Sequence, residues 1–257
     1  MTAAMTEPSA RSPGPSDRDL VRLWPLGGSR GAGARVGAML LRLYGEQARR
    51  DALGVRNQRM LTLHRAVVGR PIEAVVACPG CNADSEFVVP VEEICALPKP
   101  SPEAAVRLAV GDVGVRFRLP AVADLEALAG SSYTTGIRRL AARTCLDGDP
   151  PSLGESDLER LAQEWEALDP AGSIRVDLSC ADCARAIAAN VDPAEFVARD
   201  LDRTVKRLLR EVDVIARAYG WSEDAILGLA AERRRWYVDL IGLSPRSPGR
   251  HLAAVAP

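Results

Sequence analysis

The pattern Cys-x-x-Cys occurs twice in this sequence, and it constrains the possible folds more than any other feature. The two pairs are Cys78 with Cys81 and Cys180 with Cys183. Two cysteines at this spacing can bind one ion when the residues between them form a tight turn, for which Pro79-Gly80 is suited. Four thiolates complete the tetrahedral shell of a structural zinc ion. The two pairs therefore predict one structural zinc per chain.

The residues next to the pairs are β-prone, which is typical of a zinc ribbon. Segments 72–77 and 86–89 flank the first pair, and 174–178 precede the second with alternating apolar residues. The 98 residues between Cys81 and Cys180 are compatible with one ribbon because loop closure becomes only slowly more costly with length. We predict an α+β fold with split zinc-ribbon-like β-hairpins, an inserted mainly helical module and a C-terminal helical hairpin.

The helical and strand patterns divide the chain into six parts. The Pro- and Ser-rich start and the tail have little apolar surface to bury and are expected to be disordered. Between them, the strongest helical stripe runs from Leu201 to Tyr219. We call each Cys-x-x-Cys turn with its flanking residues a knuckle. The predicted parts are a disordered N-terminus (1–19), N-terminal helices with the first knuckle (20–98), an inserted strand-plus-helices module (99–170), the second knuckle (171–200), a C-terminal helical segment (201–243) and a disordered tail (244–257).

Composition bears on the compartment and on the partners. The chain has 33 basic and 34 acidic residues, a balance that argues against nucleic acid as an obligate ligand. It shows neither a signal peptide nor an apolar run long enough to span a membrane, so we expect a cytoplasmic protein with reduced cysteines. Paired cysteines then favour a metal over a disulfide, while a thioredoxin-type dithiol and an iron–sulfur cluster remain less favoured alternatives.

The residues that catalysis usually needs are scarce. The two histidines are His64, expected to be a partly buried structural residue, and His251 in the tail. Cys95 and Cys145 lack a partner at ligand spacing, and we interpret them as small buried apolar residues. Metalloprotease, nucleophile-elbow and phosphate-loop motifs are absent from the sequence. We predict that the protein is not an enzyme.

Several motifs follow one another in a fixed order along residues 20–243. They are Ala52 to Leu63, Cys78-Pro79-Gly80-Cys81 with Glu86-Phe87, Phe117-Arg118-Leu119-Pro120 with Asp124-Leu125, Leu178 to Cys183, and a C-terminal block of Glu211-Val212, Tyr219 to Glu223, Ile226-Leu227, Arg233-Arg234 and Tyr237 to Ile241. Together they resemble a family of bacterial baseplate-associated proteins. This family is encoded with phage tail-like contractile injection systems and is similar to the baseplate hub assembly chaperone of T-even phages.

Two positions depart from the family pattern. Asp213 follows Val212 where the family often has a histidine, which puts any histidine role there in doubt. Ala181 replaces the proline that is common in the second knuckle. The resemblance implies a non-enzymatic part in building or forming a contractile baseplate, with other baseplate or hub proteins as partners.

Three aromatic residues of the C-terminal block are candidates for binding a partner. Trp221, Trp236 and Tyr237 follow the long helix, and each either packs into a helical core or forms part of an exposed partner site.

The alternative function is a zinc-ribbon adaptor that binds nucleic acid or a transcription-related partner. Acidic residues near the knuckles, such as Asp84, Glu86 and Asp182, disfavour it.

Overall fold

The computed structural model describes residues 14–24, 31–128, 130–148 and 152–243. Within these ranges the chain forms eleven helices and three antiparallel two-stranded sheets, which confirms the α+β class and a helical C-terminal region. The helices are α1 (Asp17–Leu23), α2 (Ala32–Tyr44), α3 (Gln47–Arg50), α4 (Leu53–Val67), α5 (Val91–Ala96), α6 (Val122–Ala127), α7 (Tyr133–Thr144), α8 (Glu155–Leu168), α9 (Pro193–Tyr219), α10 (Glu223–Leu227) and α11 (Ala231–Leu243).

Each sheet is a single β-hairpin. The strands are β1 (Glu73–Ala77) with β2 (Asp84–Val88), β3 (Ala105–Val110) with β4 (Val113–Arg118), and β5 (Ile174–Ser179) with β6 (Ala186–Val191). Alternate residues of each hairpin face the interior because side chains along a strand point to opposite sides. In β3–β4 this places the pair Val106 and Phe117 in the core.

Two apolar clusters organise the part of the chain around the hairpins. One joins β3–β4 to α7 and α8, where Phe117, Leu161 and Trp165 are buried. The other contains residues from both remaining hairpins, among them Ala74 and Ile174, together with residues of α4 and α5. The second cluster therefore holds hairpins β1–β2 and β5–β6 in the same core, although they are far apart in the sequence.

The chain divides into two compact units. Among the described residues, 14 and 31–201 belong to the first unit, and 15–24 and 202–243 to the second. The second unit contains a fully buried arginine, Arg234, whose Nε lies 2.9 Å from an oxygen of Glu211 and which also donates to Asp17. In the run Arg233 to Arg235, the middle arginine is thus buried and its two neighbours are exposed.

The N-terminal disorder predicted for residues 1–19 extends too far. Helix α1 begins at Asp17 because the Ser16 side chain caps it and Asp19 closes a capping box on Ser16. Residues 1–13 and the predicted disordered tail 244–257, including His251, lie outside the described residues.

Candidate metal centre

Hairpins β1–β2 and β5–β6 end in loops of equal length that carry the cysteine pairs. The pair Ala77 and Asp84 closes the first hairpin, and Ser179 and Ala186 close the second. Six residues lie between the two members of each closing pair, and cysteines occupy the first and fourth of these positions in both loops. The second knuckle is therefore also followed by a strand, which its sequence did not indicate clearly.

The backbone follows the same path in both loops. In the first, the N–H of Cys78 donates to the carbonyl of Ala83 at 2.8 Å, and that of Asn82 donates to the carbonyl of Cys78 at 2.9 Å. In the second, Cys180 and Ala184 make the equivalent bonds, both at 2.9 Å. The residue after the second cysteine has a positive φ in each loop, 61° at Asn82 and 58° at Ala184. The two knuckles are thus structural copies.

The four sulfurs of the predicted ligand set come together. The Sγ atoms of Cys78, Cys81, Cys180 and Cys183 all lie within 4.8 Å of one another. Two contacts link the knuckles, Cys78 with Cys183 and Cys81 with Cys180, both at 3.6 Å. A tetrahedral ion with metal–sulfur bonds of about 2.3 Å spaces its ligands by about 3.8 Å. All four cysteines are free thiols, so the group can hold a metal ion.

The first cysteine of each pair, Cys78 or Cys180, has a thiol pKa below the ordinary value. Backbone N–H groups of Cys81 and Gly80 point at the sulfur of Cys78 and lower the pKa of that thiol to about 6. The N–H of Gly80 lies 3.4 Å from this sulfur. The equivalent N–H groups of the second knuckle lower the pKa of Cys180. Hydrogen bonds to the charged form favour thiolate in both places.

The second cysteine of the first pair, Cys81, has a raised thiol pKa instead. Its own loop lowers the pKa through the N–H of Ala83, but the nearby sulfurs of Cys180 and Cys183 outweigh this and raise the pKa to about 12. Hydrogen bonds that need the Cys81 proton disfavour its loss. A bound cation takes the place of this proton, so metal binding is expected to release protons.

The surroundings separate an inner from an outer side of the centre. Cys78 and Cys180 are buried and form a small apolar cluster with Ile187. Cys81 and Cys183 are exposed. Because four protein sulfurs fill a tetrahedral shell, no coordination position remains for a substrate, which is the pattern of a structural and not a catalytic site.

The other cysteines and His64 lie away from this group. Cys95 and Cys145 are half-buried and pack beside two different apolar clusters, so they are less buried than expected. His64 is fully buried, with its Nε2 3.0 Å from a carboxylate oxygen of Asp200, which also binds Arg70. This agrees with a structural role for His64, although it is more buried than predicted.

The three aromatic candidates occupy different environments in the second unit. The rings of Trp221 and Tyr237 contact each other and Tyr219, with centroids 5.0 to 5.5 Å apart. Trp236 is outside this trio and is 74% exposed beside Leu240, at 54%. The trio therefore packs on itself but stays accessible, with Tyr219 and Trp221 exposed and Tyr237 half-buried, while Trp236 presents apolar surface to solvent.

The fifth residue of each knuckle and the backbone N–H groups that point at sulfur were not identified from the sequence. Asn82 and Ala184 each directly follow the second cysteine of a pair, and this equivalent position in the sequence could have identified them.

Comparison with known protein families, with curated proteins and with solved structures finds no match to this chain. Among the residues that the structure describes, no helix combines the length and the apolar character needed to cross a lipid bilayer.

Proposed function

We propose that this chain is a non-enzymatic structural or assembly component of a contractile injection system or phage-like baseplate, stabilised by one structural zinc ion. The observation that carries the zinc proposal is the convergence of four cysteine sulfurs from two hairpins on one point. Such an ion links segments separated by 98 residues.

The donor set favours zinc over other metals. Four thiolates are soft ligands, and a closed tetrahedral set of them is a common structural zinc site. In a multi-iron cluster at least some of the four cysteines bind different irons, which holds their sulfurs farther apart than the 4.8 Å limit seen here. A single ion fits this spacing.

The baseplate proposal rests on the ordered motifs of the resemblance. Its N-terminal block, Ala52 to Leu63, lies at the start of α4, and its C-terminal block lies in the end of α9, α10 and α11. We propose that the protein acts in the cytoplasm, where its thiols stay reduced, and that its partners are other baseplate or hub proteins. The exposed Trp236 and Leu240 are candidate contact residues.

Elemental analysis of the reduced protein tests the metal. We expect one zinc per chain, and we expect Cys78→Ser/Cys180→Ser to lose it because each knuckle then keeps one thiolate. The matched control is Cys95→Ser/Cys145→Ser, which changes two thiols outside the centre and should keep the metal. Full zinc occupancy in the first double variant, or iron in its place in the unaltered protein, would contradict the zinc assignment.

The assembly role is tested in the source organism. We expect genes for sheath, tube, spike and baseplate proteins next to this one, and their absence would contradict the proposal. Deletion of the gene should leave few complete contractile particles in electron micrographs, and the Cys95→Ser/Cys145→Ser variant should restore them. Normal particle numbers in the deletion strain would rule out an essential assembly role.

A mobility assay separates this proposal from the nucleic-acid alternative. The exposed side chains near the knuckles include Asp84, Glu86 and Asp182, which repel phosphates, so we expect no retention of DNA or RNA at physiological salt. Tight, salt-sensitive retention would favour the zinc-ribbon adaptor instead.

A further inference from the structure

A cavity of about 570 Å³ lies in the first unit, away from the cysteines. Its volume falls within the range of sites that bind small molecules or short peptide segments. Residues from α3, the start of α4, the end of β4, the region of α6, the end of α7 and the loop before β3 line it. Four arginines and two aspartates are among them: Arg49, Arg50, Arg118, Arg143, Asp51 and Asp124.

One buried carboxylate at the cavity holds two arginines. The Asp124 side chain is 2% exposed, and its oxygens accept from Arg118 at 2.6 and 3.0 Å and from Arg143 at 3.1 Å. Arg118 also donates to the carbonyls of Leu119 and Arg143. Two guanidinium groups therefore share one negative charge in a fixed arrangement, which leaves one positive charge uncompensated.

A second uncompensated charge belongs to Arg50. This exposed side chain makes no hydrogen bond or ion pair with any described residue. The other charged groups of the lining are paired, Arg49 with Glu126 at 2.7 Å and with Glu46 at 3.9 Å, and Asp51 with Arg59 at 3.1 Å. The cavity and these partners together carry an excess of about one positive charge, a count that follows from the pairings.

The arginines also keep unused donors. Arg143 binds Asp124 through Nε, while its Nη1 and Nη2 have no hydrogen-bond partner among the described residues. The guanidinium group of Arg50 is likewise available. A planar fork of this kind matches a carboxylate or phosphate with two parallel hydrogen bonds.

The rest of the lining is largely apolar. Val55, Leu119, Pro100 and Pro102 form parts of the wall, with several alanines. A free phosphate would leave this apolar surface uncovered, whereas a peptide brings both methyl or methylene groups and carboxylates. The combination therefore favours an acidic segment of a protein, recognised by clustered arginines.

We propose that this cavity binds an acidic segment of a partner protein, with Arg50 and Arg143 as the residues that contact its carboxylates. Asp124 and Arg118 act as positioning residues, because Asp124 binds the Arg143 guanidinium and Arg118 binds both Asp124 and the Arg143 carbonyl. The proposal rests on the chemistry of the cavity and does not depend on the injection-system role or on the metal.

The test is an NMR titration of the zinc-loaded full chain with a blocked peptide, acetyl-Ala-Glu-Leu-Glu-Ala-amide, at low salt. We expect saturable shifts of the backbone amides of Ala52 and Ala121, which line the cavity. The same peptide with glutamine in place of glutamate should bind about tenfold more weakly or not at all. Equal binding of the two peptides, or no saturable binding of the first at about 10 mM, would overturn the proposal.

Charge-reversal variants locate the contact. Arg50→Glu should weaken binding of the glutamate peptide by about tenfold or more, because it removes a donor and adds repulsion. Arg65→Glu is the matched control, since Arg65 is exposed on α4 but does not line the cavity. An equal loss in both variants would reduce the effect to overall charge and reject the site. Inorganic phosphate that binds more tightly than the peptide and competes with it would reject the peptide assignment.

Discussion

A single residue distinguishes the two knuckles energetically. Ala184 and Asn82 occupy equivalent positions with positive φ, but asparagine tolerates the left-handed region better than alanine does. We expect Ala184→Gly to raise the free energy of unfolding by about 1 kcal/mol, since glycine relieves the strain and loses only part of that gain to its freer unfolded state. Urea unfolding of the zinc-bound protein measures the change.

The control for this substitution lies four residues along the chain. Ala188 is exposed on β6 in an ordinary strand, so Ala188→Gly should lower the free energy of unfolding by about 0.5–1 kcal/mol. Changes of the same sign in both variants would show that the conformation of Ala184 costs nothing measurable.

Gly54 is a second residue whose role depends on close packing. Its N–H donates to a carboxylate oxygen of Asp169 at 2.7 Å, so Asp169 caps helix α4 from a distant segment. A Cβ at this position would lie 1.9 Å from the other Asp169 oxygen and 2.9 Å from the backbone nitrogen of Gly172. We expect Gly54→Ala to destabilise the protein by about 2–3 kcal/mol, measured by urea unfolding.

Gly37 provides the comparison for Gly54. It also lies within a helix, α2, but a Cβ there would meet no atom within 4 Å. Gly37→Ala should therefore stabilise the protein by up to about 1 kcal/mol through helix propensity alone. A loss of stability in both variants would indicate that glycine is needed for a reason other than the Asp169 contact.

At the scale of elements, the sequence predicted the strands and helices whose own residues show a clear periodicity. The strands predicted at 72–77, 86–89 and 174–178 agree with the structure within two residues, and the helical stripe from Leu201 to Tyr219 lies in α9. Strand β3 was not predicted, although Val106, Leu108 and Val110 alternate, because the segment follows a run of prolines. The return strand β6 was implied only by the expected hairpin, since Ala186–Val191 is rich in alanine, which has a weak strand propensity. Its pairing with β5 determines it.

The same distinction applies to the candidate site. The spacing of the four cysteines was sufficient to propose them as one ligand group. The arginine cavity was not foreseen because its members come from segments that only the tertiary fold brings together. Asp124, for example, holds Arg118 from β4 and Arg143 from α7.

Metal binding should stabilise the loop ends of the two cysteine-bearing hairpins more than the rest of the first unit. An isolated two-stranded hairpin is marginally stable in water, and only the ends far from the cysteines pack into the shared core with Ile72 and Ile174. We expect chelation to speed hydrogen exchange of the Asn82 and Ala184 amides by at least about tenfold, because their bonds lie within the knuckles.

Hairpin β3–β4 is the internal control for this experiment. It contains none of the four cysteines and packs on its own cluster through Leu108 and Val115. Exchange at these two amides should change little on chelation. A uniform increase across all three hairpins would mean that the ion stabilises the whole unit and not the knuckles locally.

At the scale of the whole molecule, charge determines how stability varies with pH. Burial raises the pKa of Asp124 and Asp200, but hydrogen bonds to Arg118 and His64 outweigh it, so both pKa values lie below the ordinary value of 3.8. A carboxyl group whose pKa is lower when folded stabilises the protein above the unfolded pKa and loses this contribution as the pH falls through the folded pKa.

Two other carboxyl groups act in the opposite direction. Burial raises the pKa of Asp51 and of Asp169, more than Arg59 and the Gly54 N–H lower them. A raised pKa means that the charged carboxylate is disfavoured in the folded protein, so acid relieves a cost at these sites. They partly offset the loss from Asp124 and Asp200, which makes the carboxylate step shallow.

The thiols add a separate step at higher pH. The pKa of Cys78 is lowered to about 6, so Cys78 is available as a thiolate at neutral pH. The pKa of Cys180 is also lowered, so this thiol loses its proton more readily than an ordinary one. Protons compete with the metal once the pH falls below about 6, and the stability that metal binding contributes is then lost.

We therefore predict that the urea midpoint of the zinc-loaded protein falls in two stages on acidification, first near pH 6 with release of the metal and again below about pH 4. The protein kept in chelator should show a smaller first stage, from protonation of the Cys78 thiolate alone, and should retain the second stage, because the carboxylates titrate with or without metal. Urea titrations at several pH values, with a zinc indicator for released metal, measure both stages. A midpoint near pH 6 that is equal with and without chelator would contradict the coupling of the thiolates to stability. A first stage of the same size that appears without metal release would show that loss of the metal does not cause it.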